Sequence, residues 1–247
     1  MLRINKFLEL IGLDVRKILA LRNYNRYRAD SRKFSERGGI ISRKRPILDD
    51  FDSQSGVASG HYFHQDLLVA GFIYSRNPKK HLDVGSRIDG FVAHVATFRT
   101  IEVVDIRPLK NLSYANIQFK QLDITKESHL VSTDSLSCLH TIEHFGLGRY
   151  GDSIDPEGHI KGFNNLLKML EPGGFLYISF PIGETNQVHF NAHRVFHPLD
   201  ILSWSLDAFE IVRFDYVDDA GDLHTDVNLF KETPILENGC GIYTIKK

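Results

Sequence analysis

The chain has 247 residues, 42% hydrophobic and 25% charged, which excludes a disordered, collagen-like or membrane-spanning make-up. A net charge of −1 hides an asymmetry, because residues 1–45 hold 13 Lys/Arg against 4 Asp/Glu and leave 17 basic and 27 acidic residues for the rest. The two cysteines, Cys138 and Cys240, are far apart with no C-x-x-C pair, which argues against a disulfide scaffold or a thiolate zinc centre and for a cytoplasmic setting.

The first residues place Glu9 inside the apolar stretch and offer no small-residue cleavage site, so they fail as a secretory signal. Ile4, Phe7, Leu8, Ile11, Val15, Ile18 and Leu19 follow the spacing of one helix face, with Arg3, Lys6, Arg16 and Lys17 elsewhere, which predicts a basic amphipathic helix. Three readings stay open for it: a cap on the main domain or a partner subunit, a dock on an anionic membrane surface, or an arm for nucleic-acid phosphates. No aromatic-rich basic module supports the last.

Residues 46–60, rich in Asp, Ser and Gly, read as a connector, and residues 61–76 as a short helix. Strand and helix segments then alternate: strands His81–Gly85, Ile101–Ile106, Ile117–Ile124, Ser135–His140 and Phe175–Phe180, and helices Ile88–Phe98 and His159–Leu170, the latter closed by Glu171-Pro-Gly-Gly174. This rhythm predicts a parallel sheet with helices on both faces. After Pro181 come a His-rich loop, a helix near Leu199–Leu206 and strands at Phe209–Val217 and Gly241–Lys247. With no helix between them, the last two strands must pair antiparallel or stay apart.

His81-Leu-Asp-Val-Gly85-Ser-Arg-Ile-Asp-Gly90 runs a strand into glycines and then a helix, a turn that lets backbone approach an anionic or polar ligand. Asp105 ends the next strand, where a carboxylate can accept both ribose hydroxyls, so the pair points to adenosine. A dinucleotide site wants G-x-G-x-x-G, and here Arg87 takes the middle glycine position. Asp83 adds a carboxylate at the same turn, repelling a pyrophosphate but suiting the ammonium of an amino-acid tail.

On these residues the sequence resembles a class I methyltransferase dependent on S-adenosylmethionine (SAM). Leu82-Asp-Val-Gly-Ser-x-x-x-Gly90 is similar to that family's first motif, Val104-Asp105 to its second and Gln121-Leu-Asp123-Ile to its third. Leu170-Glu-Pro-Gly-Gly-Phe-Leu-Tyr-Ile178 resembles the element before its fifth strand, and the last two strands its antiparallel hairpin. The resemblance implies a three-layer αβα Rossmann-like fold over 80–247, mostly parallel with an antiparallel C-terminal hairpin edge, and leaves 1–79 as a basic helical extension and connector. It implies SAM as cofactor, with Asp83, Gly85, Ser86 and Gly90 around the methionine part, Asp105 on the ribose, Asp123 with Ile124 at the adenine, and His140 in the same pocket. Ser86-Arg87 departs from the family, which often has a second glycine there. The sequence is also similar to a branch seen with bacterial surface-polysaccharide genes.

His140-Thr-Ile-Glu143-His144 spells the inverted zinc-protease motif, but an apolar strand precedes it and Phe145-Gly-Leu-Gly follows, leaving no long helix for a protease site. Some methyltransferases carry a related E-x-x-E-H after strand four and use it with a divalent ion. Here His140 replaces the first Glu, and Glu143, His144 and His193 are the expected metal ligands if an ion is bound. A hydroxyl acceptor must lose a proton, and a histidine near neutral pKa is suited to take it, so Glu143, His144 and His193 are also the expected catalytic residues, with His193 as base. The His193-Arg194 step is the part of the His-rich loop expected to matter most. His61, Tyr62, His64, Gln65 and Asp66, ahead of strand one, are read first as packing and capping residues and alternatively, as the resemblance implies, as part of a helix that closes over the cofactor. The polar, Gly-rich loop 150–159 is a candidate substrate lid.

The expected reaction is O-methylation of a sugar or another small hydroxyl-bearing metabolite, with a small-molecule or glycan partner. No Asn-Pro-Pro-Tyr-like motif for planar amines or bases is present, and the acidic main domain would repel nucleic-acid phosphates. The alternative is a SAM-fold binding or scaffold protein without transfer activity. Nothing in the pattern fixes the oligomeric state.

Overall fold

The computed structural model describes residues 15–126 and 131–247. The chain divides into two units, Met1–Val57 and Ala58–Lys247. In the first, helices α1 (Val15–Ala20) and α2 (Tyr24–Glu36) flank a single tight turn, Leu21–Asn23. Asn23 ties the turn to the following segment by donating to Leu48 O (3.0 Å) and Asp52 Oδ2 (2.7 Å). Of the expected amphipathic face, Ile4, Phe7, Leu8 and Ile11 lie outside the described residues, whereas Ile18 and Leu19 are exposed. No helix among the described residues is long and apolar enough to cross a membrane.

The second unit opens with α3 (His61–Arg76), which ends at Asn77 in the left-handed region (φ 45°), just before Pro78. Strand β1 (His81–Val84) leads into a wide turn of helix at Ile88–Val92 and a short α4 (Ala93–Ala96). There follow β2 (Ile101–Asp105), β3 (Ile117–Gln121), β4 (Thr133–Leu139), α5 (Gly158–Met169), β5 (Leu170–Ile182), a hairpin of β6 (Gln187–His189) and β7 (His193–Val195), β8 (Glu210–Val217), β9 (Leu223–His224) and β10 (Gly239–Lys246). The expected division at 79/80 therefore falls too late. Val69, Ala70 and Ile73 of α3 pack with Phe91, Val92 and Val95 on the sheet, so this helix belongs to the sheet unit.

Eight strands form one sheet in the order β3-β2-β1-β4-β5-β10-β8-β9. The pairs among β3, β2, β1, β4 and β5 are parallel, and β10 enters between β5 and β8 antiparallel to both. One apolar cluster joins Leu82, Val84 and Leu136 to Phe163, Leu166 and Leu167 of α5, and the other joins Ile101 and Val103 to α3, so helices cover both faces. The three-layer αβα fold with an antiparallel C-terminal edge is thus the observed one.

Local departures have physical causes. The expected helix Ile88–Phe98 is kinked because Gly90 is non-helical (φ −125°, ψ −109°), and a Cβ there would sit 2.7 Å from Asp66 Oδ2. Glu171-Pro-Gly-Gly174 does not end a helix; it bulges out of β5, where the pairing with β4 jumps from Thr133/Leu170 to Ser135/Phe175. The expected helix near Leu199–Leu206 shrinks to one tight turn, Asp200–Ser203, locked by Trp204 Nε1 donating to Asp200 Oδ2 (3.0 Å).

Candidate functional site

The carboxyl ends of β1, β2, β3 and β4 open onto one cleft, the place where ligands bind in doubly wound sheets. Its inner recess is lined by Gly85, Asp105, Arg107, Asp123, Ile124 and Tyr150, among others. Through His140, His144 and Tyr150 it runs into a wider space of about 420 Å³ walled by His61, Tyr62, Glu143, His193 and Asn238. The sheet therefore gathers most residues singled out in the sequence.

Asp105 sits on the recess wall at the end of β2, and Arg107 holds both of its oxygens, Nη2 to Oδ2 at 2.6 Å and Nε to Oδ1 at 3.0 Å. The Arg107 guanidinium lies 4.5 Å over the Tyr150 ring, so the pair also anchors the lid expected at 150–159. Asp123 shapes the turn after β3, with its Oδ1 accepting from the Thr125 amide (3.0 Å) and hydroxyl (2.6 Å), and Lys126 stands 3.3 Å from its Oδ2. Ile124 fixes the same turn from below, its carbonyl accepting from Asn165 of α5 at 2.8 Å.

The glycine turn is tighter than expected. Gly85 has φ 71°, and a Cβ there would collide with the Thr141 methyl. Asp83 does not reach the cleft: it is fully buried, with Oδ1 accepting from Ser86 (2.6 Å) and Ser137 (2.5 Å) and Oδ2 from the Ser86 amide (3.0 Å). Burial raises its pKa to about 7, against those three hydrogen bonds. Asp83 and Ser86 therefore build the turn from inside, and the expected ammonium contact is withdrawn for Asp83. A carboxylate the sequence reading set aside as packing, Asp66 on α3, is the one beside Gly90, its pKa raised by burial. Only the fold reveals this, because α3 crosses back over the turn.

The segment after β4 begins with His140 at φ 48°, its amide donating to Ser179 O (3.0 Å). Its Nδ1 lies 3.0 Å from Glu143 Oε1, a buried oxygen that also stands 3.6 Å from His144 Nε2. Burial opposes a charge on His140, but the Cys240 sulfur and Glu143 outweigh it and its pKa rises well above the usual imidazole value. His144 donates from Nδ1 to Ala192 O (2.7 Å), which leaves Nε2 as the acceptor nitrogen, and burial lowers its pKa. His193, on β7, meets the His189 ring edge-on at 5.0 Å; burial and its histidine neighbour lower its pKa too.

The donor atoms of Glu143, His144 and His193 do not gather as a metal set. Glu143 turns inward to His140, and His144 is held by Ala192. Among the described residues, the metal-ligating side chains whose donors converge, within 4.8 Å of one another, are His61, His140 and Cys240. A divalent ion on the expected triad does not fit. Arg194 is not a site residue either: it is buried, and its guanidinium donates to Phe145 O (2.6 Å) and Pro156 O (3.2 Å), bracing the lid.

The solved structures similar to this chain include the N-methyltransferase NodS from Bradyrhizobium japonicum WM9 in complex with S-adenosyl-L-homocysteine, 13% identical, with a TM-score of 0.50 over 82% of this chain and 93% of that one. The 1,6-didemethyltoxoflavin-N1-methyltransferase of Burkholderia thailandensis, with bound 1,6-didemethyltoxoflavin and S-adenosylhomocysteine, is 12% identical, with a TM-score of 0.51 over 92% of this chain and 90% of that one. The [4+2]-cyclase SpnF is 13% identical, with a TM-score of 0.53 over 86% and 90%. These likenesses show the class I methyltransferase fold. No curated protein matches in sequence. Residues 93–232, more than half of the chain, match the family described as Caenorhabditis protein of unknown function, DUF268, and the chain belongs to that family.

Proposed function

We propose that the protein is a SAM-dependent methyltransferase that acts on a hydroxyl of a sugar or similar small metabolite. The observation that carries this reading is the position of Asp105, a carboxylate at the end of β2 on the wall of a recess that opens directly into an imidazole-lined cleft. Arg107 already gives the carboxylate three hydrogen bonds, from its amide and Nε to Oδ1 and from Nη2 to Oδ2, so the open acceptor site for a ribose hydroxyl is on Oδ2. In this reading Asp123 and Ile124 line the part of the recess that takes the adenine, and Asp66, buried beside Gly90, is the candidate partner for the ammonium of the methionine part.

Bound SAM supplies an electrophilic methyl on its sulfonium. The chain's own part is to align an acceptor and take its proton. His193 is the base in this reading, and His144, its tautomer set by Ala192 next to His193, orients the acceptor. Their lowered pKa values keep both imidazoles neutral near pH 7, the form that accepts a proton. Glu143 holds His140 and steadies the segment that carries His144.

Calorimetry with SAM and with NAD tests the cofactor, and binding of NAD without SAM overturns the reading. A panel of hydroxyl and amine acceptors tests the reaction. Steady release of S-adenosylhomocysteine with hydroxyl acceptors is expected; SAM binding with no turnover across the panel favours a scaffold instead.

A further inference from the structure

We propose that His61, His140 and Cys240 form a site for a thiophilic divalent cation, zinc foremost, at the base of the imidazole-lined cleft. The three donors lie within 4.8 Å of one another. Tetrahedral zinc with Zn–N of about 2.0–2.1 Å and Zn–S of about 2.3 Å wants donors roughly 3.3–3.6 Å apart, a contraction that side-chain rotation can supply. The sheet makes the meeting: His61 opens α3, His140 follows β4, and Cys240 lies near the start of β10, paired opposite Pro181 of β5. Because β10 runs antiparallel, its beginning arrives at the carboxyl ends of β4 and β5.

An independent observation points to a ligand there. The His140 side chain is 7% exposed, and among the described residues its Nε2 makes no hydrogen bond, with the Cys240 sulfur nearby. A buried polar atom left unmade is costly, and a bound cation removes that cost. The other ring nitrogen, Nδ1, is 3.0 Å from Glu143 Oε1, the arrangement by which a carboxylate fixes a ligating imidazole and strengthens it as a donor. The His61 ring stacks on that of His140, with centroids 5.2 Å apart, and Cys240 is a fully buried free thiol.

The donor set selects the metal. One sulfur with two imidazoles suits zinc or cobalt far better than magnesium, which wants oxygen ligands. On binding, metal–sulfur and metal–nitrogen bonds form, the Cys240 thiol proton and the Nε2 proton of the charged His140 ring leave to solvent, and no oxidation state changes. The resulting thiolate and the Glu143 carboxylate together offset the two positive charges. His61 and His140 line the cleft while Cys240 lies behind them, so the fourth coordination position faces the cleft, as in catalytic rather than closed structural zinc centres.

The test is a metal titration of the full chain after chelator stripping, with Co²⁺ as the optical probe and Zn²⁺ as competitor. A thiolate-to-cobalt charge-transfer band and the intense visible bands of a tetrahedral centre are expected, saturating at about one ion per chain and displaced by Zn²⁺. Cys240→Ser should abolish the charge-transfer band, and His61→Asn, at the mouth of the site, should weaken Zn²⁺ binding by about tenfold or more. His224→Ala, which removes a histidine paired with Asp218, should change neither, and circular dichroism checks that each variant is folded. A folded chain with no charge-transfer band overturns the proposal, as does Zn²⁺ affinity unchanged in His61→Asn. No SAM enters the titration, so the result stands whether or not the chain transfers a methyl group.

Discussion

Arg107 grips both carboxylate oxygens of Asp105, two residues back in the chain, and turns the end of β2 into a fixed acceptor pair. The Asp105 side chain is 13% exposed and that of Arg107 47% exposed, so the carboxylate sits in the wall while the guanidinium reaches the mouth. Asp105→Ala is expected to weaken SAM binding by roughly 1–3 kcal/mol, the worth of hydrogen bonds to a partly buried charged acceptor. Arg107→Ala should cost less, about tenfold in affinity at most, because a half-exposed ion pair contributes little beyond orientation. Calorimetry on both variants checks the order, and equal losses would contradict it.

Turnover should separate the two imidazoles from the cofactor recess. His193→Ala is expected to lower the rate about 10²–10⁴-fold, the usual contribution of a general base, with SAM affinity unchanged. His144→Ala should raise KM for the acceptor more than it lowers kcat. If His193→Ala loses thermal stability while its rate per folded molecule stays the same, the residue only braces the hairpin.

A buried pair of titratable groups beneath the cleft predicts an unusual pH response. Burial raises the Asp83 pKa to about 7 and lowers that of His81 to about 3, and the Ser137 hydroxyl lies 2.5 Å from Asp83 Oδ1 and 3.1 Å from His81 Nε2. The folded chain holds a proton on Asp83 that the unfolded chain releases, so this group's contribution is full below about pH 4 and fades as pH rises to 7. His81 works the other way: its contribution is full above about pH 6.5 and fades as pH falls toward 3. Between pH 4 and 6.5 the two slopes oppose each other. Urea unfolding should therefore show little pH dependence from this pair in the wild type, and a stability that rises with pH over that window in Asp83→Asn.

Arg194→Met keeps the length of the side chain and removes its donors, leaving Phe145 O and Pro156 O without their buried partner. The expected loss is about 3 kcal/mol or more, read as a shifted urea midpoint with an unchanged slope. Lys at this position should recover only part of it, because one ammonium cannot span both carbonyls.

The parallel strands were readable where a short apolar run meets a turn signal; Ile101–Asp105 and the His81–Gly85 turn are the plainest cases. The hairpin Gln187–Val195 was not, since β6 is exposed along its length and its three-residue strands carry no periodic signal. Asp105, Asp123 and His144 were placed at the cleft by their positions at strand ends. Asp83 was misassigned because spacing locates a carboxylate along the chain but not the side of the strand on which serines 86 and 137 wait for it. The convergence of His61, His140 and Cys240 had no local signature at all: the three lie on separate elements, and only the antiparallel entry of β10 unites them.

That entry also sets the order in which the molecule can assemble. β5 pairs with Gly239–Lys246 from Phe175 to Ile182, and β8 reaches the sheet only through the same strand. On a ribosome, β1 to β5 can associate early, but the flank of β5 stays an unpaired, apolar edge until more than fifty further residues have emerged. Nascent chains stalled before residue 239 should therefore recruit chaperones and aggregate, and emergence of β10, rather than formation of the parallel core, should time the appearance of protease resistance.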